Sequence, residues 1–308
     1  MRIGLMIGAT DGPGGTIDAL VATAKRHEAA GFPNLWMANI FGLDAINALG
    51  IVGRETSRIE LGTAVVPTYP RHPVAIAQQA LTTQAASRGR FALGIGLSHK
   101  LVIENMLGMS YDKPARHMRE YLKVLGPLLR GEGVQFQGEL YRVAAQLAVP
   151  GATRVPLLVA ALGPTMLRLT GELADGTITW MTGPKTLATH IVPTLREAAK
   201  AAGRPEPRVV AGFPIIVTRK PAEAREKIGK ALVIYGQLPS YRAMLDREGA
   251  AGPADIALAG DEAQLRRELA RLRDVGVTDF SAAVTAVEDG AEERTLAFLA
   301  SELGSARK

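Results

Sequence analysis

No cysteine occurs in this chain of 308 residues, which excludes disulfides, thiolate metal sites and a cysteine nucleophile. Aromatic residues are scarce, at 5%. Alanine and glycine are abundant instead, which favours close helix–strand packing over a bulky aromatic core. No apolar run approaches the length of a membrane span, so no membrane association is expected. The apolar stretch Met1–Gly8 is too short for the core of a secretion signal and runs into the turn-forming Asp11-Gly-Pro-Gly-Gly15, so a cytoplasmic location is expected. The formal charge is only +6. The basic residues are scattered, with no tract interleaved with aromatics, so no nucleic acid partner is expected. A locally positive mouth for an anionic ligand is still compatible with this charge.

Eight short apolar segments read as strands: Ile3–Ile7, Leu35–Ala38, Ile59–Val65, Phe91–Ile95, Leu157–Ala160, Gly176–Trp180, Val209–Val217 and Asp279–Ala283. They are β-branched or continuously apolar, as strands buried on both faces must be. Helical spacing separates them. Ile17, Leu20, Val21 and Ala24 form one stripe that Gly31 ends, and Met118, Tyr121, Leu122, Leu125 and Leu129 follow Pro114. Leu265, Leu269 and Leu272 form a third stripe, ended by Gly276. Eight strand–helix repeats predict an α/β fold, a parallel (β/α)8 TIM barrel, with a doubly wound sheet as the other solution of the same pattern. Residues 133–142 read as a small hairpin outside the barrel. Residues 218–277, between the seventh and eighth strands, read as a helical insertion covering the barrel's C-terminal mouth. With no linker-like stretch, 1–308 reads as a single domain.

The five histidines, His27, His72, His99, His117 and His190, show no zinc-site spacing, so no metal is expected. His27 and His117 fall within amphipathic helices and are expected at the surface. Gly94-Ile-Gly96 follows a strand but lacks the third glycine of a dinucleotide fingerprint. Its glycines suit either close strand packing or approach of the backbone to a flat ring. Gly163-Pro-Thr-Met166 follows a strand and opens a helix, so it is either an ordinary turn or an anion site at a helix N-terminus. Pro67, Pro70 and Pro73 make a rigid rim in which Tyr69, Arg71 and His72 either face a pocket or cover the barrel edge.

Four segments resemble the luciferase-like monooxygenase family, and specifically its F420-dependent oxidoreductase branch. They are Leu35-Trp-Met-Ala-Asn-Ile-Phe41, Gly62-Thr-Ala-Val-Val-Pro67 with Arg71-His-Pro73, Arg88-Gly-Arg-Phe-Ala-Leu-Gly-Ile-Gly96, and Gly163-Pro-Thr-Met166 with Leu173-Ala-Asp-Gly176. Together their order and spacing extend the resemblance over nearly the whole chain. The resemblance implies a (β/α)8 barrel with an insertion before the last strand, a flavin-like cofactor at the C-terminal mouth, and a non-prolyl cis peptide at Ala64–Val65 behind its ring. It implies further that Asn39 and Leu97, Ser98 and His99 reach the ring or ribityl chain. Gly163, Pro164, Thr165 and Met166 would hold the phosphate, and Trp180 would border the cofactor tail or pocket. Lys100, Lys185 or Arg54 would meet an anionic tail.

One departure from the family matters. Related sugar-phosphate dehydrogenases place an Asp-His pair where this chain has Asn39-Ile40, and isoleucine cannot transfer a proton. The expected function is hydride transfer between F420 and a small organic substrate, with reduction of C=C or C=N, and His99, Tyr69, His72 and Tyr235 as candidate proton donors beside solvent. A two-component FMN-dependent monooxygenase and a non-catalytic F420- or flavin-binding barrel are the alternatives. Tyr235, Leu238, Tyr241 and Met244 in the insertion suit an apolar pocket lining or a helix core. A homodimer fits the family habit.

Overall fold

In the computed structural model, residues 1–8 and 15–304 are described, so residues 11–14 of the expected first turn lie outside them. Eight strands run in chain order: β1 (Arg2–Ile7), β2 (Asn34–Met37), β3 (Glu60–Thr63), β4 (Phe91–Gly96), β5 (Leu157–Val159), β6 (Gly176–Thr179), β7 (Arg208–Val217) and β8 (Asp279–Val284). Each pairs in parallel with the next, and β8 pairs with β1, so the sheet closes on itself. The chain is therefore a TIM barrel, with its helices packed outside. The outward strand residues Ile3, Leu35, Leu61, Leu93, Val159 and Phe213 join those helices in the main core.

The interior is layered, and glycine makes room for each layer. At the amino-terminal floor, Arg208 grips Asp279 at 2.9 Å and also pairs with Glu60. Arg2 reaches the same carboxylate at 2.6 Å and Asn34 donates to it at 3.1 Å. Asn34 in turn accepts from the indole N–H of Trp36 at 2.9 Å, and the Arg208 guanidinium lies 5.1 Å from the Trp36 ring centroid. Trp36 fills the barrel only because its neighbour on β3 is Gly62, where a side chain would collide with the indole. Higher up, a Cβ at Gly212 would press on Met6 and on the ring of Trp180, 3.0 Å away. Aromatic residues are thus few, but both tryptophans stand inside the barrel.

The hairpin exists and runs longer than expected, with Val134–Gln137 pairing antiparallel to Arg142–Ala145. Its turn is tied to the helix Pro114–Leu129 by buried Glu120, which accepts from the backbone N–H groups of Glu139, Leu140 and Tyr141. The segment between β7 and β8 holds five helices, and also a short strand, Leu258–Gly260, that pairs parallel to Ile215–Val217. Three residues carry no period, which is why the pattern missed this strand.

The two helical histidines correct an expectation, because both are buried. His27 packs edge-on against Phe32, and His117 stacks on Tyr69. Burial pushes each ring down to about 4, so both are neutral at pH 7.

Burial alone would raise the Asp279 carboxyl, but its hydrogen bonds and charge contacts with Arg208 and Arg2 hold it below the ordinary aspartate value. A depressed folded value gives a contribution that is present above the ordinary value and is lost as pH falls through the folded one. The Asp279→Ala variant is expected to lose about 3 kcal/mol of stability at pH 7, because buried Arg208 keeps only Glu60 as a counter-charge and Asn34 and Arg2 lose their shared acceptor. Urea titrations at pH 7 and pH 3 check this, and the gap between variant and parent should narrow at the lower pH. An unchanged midpoint at pH 7 would show that the floor does not depend on this pair.

Candidate active site

The mouth is built where β3 leaves the sheet. Gly62 pairs with Ala92 on β4, and Val66 pairs with Ile95. Four steps along one strand face three along the other, so the exit of β3 is a bulge. A bulge orphans backbone groups on its partner, and one side chain satisfies both. Thr63 Oγ1 donates to the Gly94 carbonyl at 2.7 Å and accepts from the Gly94 N–H at 2.8 Å. The Ala64–Val65 peptide within the bulge is cis. A Cβ on Gly94 would collide with the Thr63 carbonyl, and one on Gly96 would lie 2.8 Å from a Val65 methyl. Of the two roles open to these glycines, packing under the bulge therefore has a direct structural account.

Beyond β4 the chain turns sharply. Ser98 takes a left-handed conformation, φ 62°, uncommon for a side-chain-bearing residue. The Tyr111 hydroxyl donates to its carbonyl at 3.3 Å. His99 follows, half-buried, and its ring lies 5.4 Å from that of Tyr241 in the insertion. From there an aromatic arc runs back across the mouth, from Tyr241 to Tyr235 at 5.5 Å and on to Trp180 at 6.2 Å. Burial lowers the His99 value and raises those of Tyr235 and Tyr241, so at pH 7 the imidazole is neutral and the phenols keep their protons. Met244, by contrast, is buried in the core.

Two helices behind the mouth begin with Gly-Pro, and they differ. At Gly163-Pro164 no side chain caps the first turn of Pro164–Leu173, and open space surrounds the Cα of Gly163. His190 Nε2–H donates to the Leu162 carbonyl at 2.8 Å and fixes this approach. At Gly183-Pro184 the equivalent amides are taken, because Glu248 of the insertion accepts from Lys185 N–H at 3.0 Å and Thr186 N–H at 2.7 Å. Among the described residues the helix start at Thr165 and Met166 therefore has no side-chain cap, while the second helix start anchors the insertion. The sequence reading missed Glu248, whose partner lies far away in the chain.

The other expected site residues fall as follows. Asn39 Oδ1 accepts from Ala45 N–H at 2.9 Å. Tyr69 stacks on His117 at 4.0 Å, and its phenol oxygen is buried with no hydrogen-bond partner among the described residues. His72 is exposed and spends Nδ1 on capping the helix Pro73–Ala86, accepting from Val74 N–H at 3.3 Å. Of the cations suggested for an anionic tail, Lys100 pairs with Glu104 at 3.7 Å. Arg54 sits in the last turn of the helix Ala45–Glu55, which carries it to the opposite, amino-terminal end of the barrel and away from the mouth. A cavity of about 360 Å³ opens between Lys220–Lys227 and Val287–Asp289 at the ends of β7 and β8. Its lysines are engaged, Lys220 with Glu223 and Lys227 with the Val287 carbonyl. Among the described residues no group of histidine, aspartate or glutamate side chains could hold a metal ion, and no helix is long and apolar enough to cross a membrane.

The sequence model for luciferase-like monooxygenases matches residues 1–297. The chain belongs to the luciferase-like monooxygenase family. Membership places it among oxidoreductases. It is 28% identical over 236 residues to a 5,10-methylenetetrahydromethanopterin reductase of Methanolobus tindarius, covering 76% of this chain and 72% of the relative. The coenzyme F420-dependent tetrahydromethanopterin reductase of Methanopyrus kandleri shares its fold with a TM-score of 0.82 at 22% identity, covering 100% of this chain and 99% of that one. The oxygenating constituent of 3,6-diketocamphane monooxygenase of Pseudomonas putida, solved with FMN, shares the fold with a TM-score of 0.77 at 15% identity, covering 99% of this chain and 98% of that one.

In this luciferase-like barrel the Thr63 hydroxyl carries the bulge, so Thr63→Val is the isosteric test. The variant is expected to lose about 2 kcal/mol of stability, because two buried backbone groups of Gly94 lose their partner. Denaturant unfolding checks this, and stability equal to the parent would mean that the bulge stands on packing alone.

Proposed function

We propose that this protein is an F420-dependent oxidoreductase that moves a hydride between the deazaflavin and a small organic substrate, with reduction of a C=C or C=N bond as the reaction. The observation that carries this reading is the bulged exit of β3, seated over Gly94 and Gly96 beside the Ser98–His99 turn. The uncapped helix start at Gly163, on the next strand along, supplies the cradle an anionic cofactor needs. The methanopterin reductases of similar sequence and fold support the deazaflavin over a flavin.

When bound, the deazaflavin supplies a ring carbon that gives or takes a hydride. Asn39, Ala64, Val65 and the Leu97–His99 turn would hold the ring side. Gly163, Pro164, Thr165 and Met166 would hold the phosphate, and Trp180 would border the tail or pocket. The fit is physical, since among the described residues the buried Tyr69 hydroxyl has no partner and a Cβ at Gly163 would meet nothing within 4 Å. The chain's remaining task is the proton. In the reducing direction His99, protonated from solvent, would hand its proton to the substrate, and by the same path the neutral imidazole takes it back when the substrate is oxidised, with Tyr241 packed beside the ring.

Titration with F420 and separately with FMN, followed by tryptophan fluorescence, tests the cofactor. Tight F420 binding with weak FMN binding is the expected outcome. Tight FMN binding without F420 binding would move the two-component monooxygenase reading to first place. His99→Ala is expected to reduce turnover about 100-fold or more, with F420 affinity little changed. Full turnover by the loaded variant would remove His99 from the chemistry.

A further inference from the structure

A phenol inside a fold usually spends its O–H on a neighbour, because an unmade hydrogen bond is costly there. The six tyrosines of this chain divide on this point. Tyr111 donates to the Ser98 carbonyl at 3.3 Å, Tyr121 donates to the Arg71 carbonyl at 2.9 Å, and the Tyr141 hydroxyl meets His117 Nδ1 at 3.4 Å. Tyr69 has no partner among the described residues, and its oxygen is sealed from solvent. The hydroxyls of Tyr235 and Tyr241 also have no partner among the described residues, but their oxygens are not sealed. The His99 imidazole and the Trp180 indole N–H are likewise unspent there.

These four side chains are the arc itself. Tyr241 touches His99 on one side and Tyr235 on the other, and Tyr235 meets Trp180 edge-on. Burial raises the Tyr241 phenol above its ordinary value and the Tyr235 phenol adds to the rise, so the two oxygens lie within electrostatic reach of each other. The charges beside the arc are spent. Arg242, next to Tyr241, holds Asp246 at 2.8 Å and the carbonyls of Ala250 at 2.7 Å and Ala251 at 2.8 Å. Lys100, next to His99, pairs with Glu104 at 3.7 Å. The arc thus offers neutral donors and one imidazole, which suits a ligand with a neutral acceptor and not a carboxylate or an ammonium group.

We infer that the phenols of Tyr241 and Tyr235 form a two-donor site for a carbonyl oxygen, and that the substrate is an α,β-unsaturated carbonyl compound reduced at its C=C bond. The inference rests on the redox site proposed above being at this mouth. An isolated C=C bond does not accept a hydride, because the displaced electron pair has nowhere to go. A conjugated carbonyl takes that pair, and donors at its oxygen stabilise the developing charge. The β carbon receives the hydride from the reduced deazaflavin, the C=C pair moves to form the enolate, and the two phenols hold its oxygen. The pair then returns to the α carbon, which takes the proton from His99 and leaves the saturated carbonyl compound. One proton from the reduced cofactor passes to solvent, and solvent reprotonates His99, so the sum is one hydride and one proton per C=C bond. A C=N substrate would be reduced as a cationic iminium, and among the described residues the arc contains no carboxylate to hold one.

The test uses the full chain and Tyr→Phe variants, which keep the rings and remove only the donors. Calorimetric titration of the chain without cofactor compares cyclohex-2-enone with 1-methylcyclohexene, a similar ring with no oxygen, and F420 is titrated separately on the same samples. The parent is expected to bind the enone about tenfold more tightly than the hydrocarbon. Tyr241→Phe and Tyr235→Phe should each lower enone affinity about tenfold and leave hydrocarbon and F420 affinities unchanged. Tyr121→Phe, whose parent hydroxyl is spent on Arg71, should bind the enone as the parent does. No preference of the parent for the enone, enone affinity unchanged in both arc variants, or a loss of the same size for the hydrocarbon or in Tyr121→Phe would overturn the inference. So would reduction of 1-pyrroline by the F420-loaded protein with the enone left intact. F420 binding with enone affinity indifferent to both arc variants would overturn the oxygen site alone. Enone binding that falls in both arc variants, without F420 binding, would overturn the redox reading and leave the oxygen site in place.

Discussion

The mouth of this barrel depends on one extra residue in β3. That residue forces the strand off its neighbour, and the Thr63 hydroxyl repairs the break by bonding both backbone groups of Gly94. The repair works only at contact distance, so Gly94 and Gly96 must have no side chains. Val65 then lies against β4, and β4 ends in the left-handed turn at Ser98 that leads to His99. Two hydrogen bonds and two absent side chains thus position much of what the proposed chemistry uses. The floor supports this from below. Arg208 and Asp279 hold Asn34, Asn34 holds Trp36, and Trp36 fills the space under the bulge.

A second constraint is electrostatic. Helix starts at the carboxyl ends of barrel strands present uncapped amides and the positive end of a dipole, so each attracts an anion. This chain has two such starts with the same Gly-Pro opening and uses them differently. Glu248 is a resident anion at Gly183-Pro184 and docks the insertion onto the barrel. Gly163-Pro164 has no resident anion. The insertion therefore fixes the pocket wall through one helix start and leaves the other open to a ligand. The same docking brings Tyr241 over His99 and Tyr235 against Trp180.

Much of the fold was legible because barrel strands are buried on both faces and write themselves as short apolar runs. All eight strands lie where the runs place them, and the glycines expected to end helices, Gly31 and Gly276, adopt positive φ. The misses have physical causes. Leu258–Gly260 is too short to show a period and is a strand only because β7 continues beside it. His27 and His117 look like surface residues on a helical wheel, yet Phe32 just past the helix end packs on the first and Tyr69 from a distant segment stacks on the second. Glu248 and the Arg208–Asp279 floor are pairs between remote positions, and one sequence does not show which charges meet. For the candidate site, the glycines and the Gly163 turn were legible as local backbone needs. The arc joining His99 to Trp180 was not, because two of its rings come from the insertion.

The isoleucine at position 40 takes on meaning in this setting. The side chain at position 40 is about half exposed, so a histidine there would stay solvated and titrate near its ordinary value. His99 is different, because the insertion covers it and desolvation favours its neutral form. In the proposed reaction the proton is handled at the β4 exit by a half-buried imidazole, and the solvated β2 exit takes no part in it. This leaves the β2 exit free to be apolar, and Ile40 and Phe41 make it so. In the proposed reaction the cofactor's charge is met by backbone amides and the proton by half-buried His99 beside Tyr241. Each demand is met by a different strand end, so none of them requires an unpaired charge at the mouth.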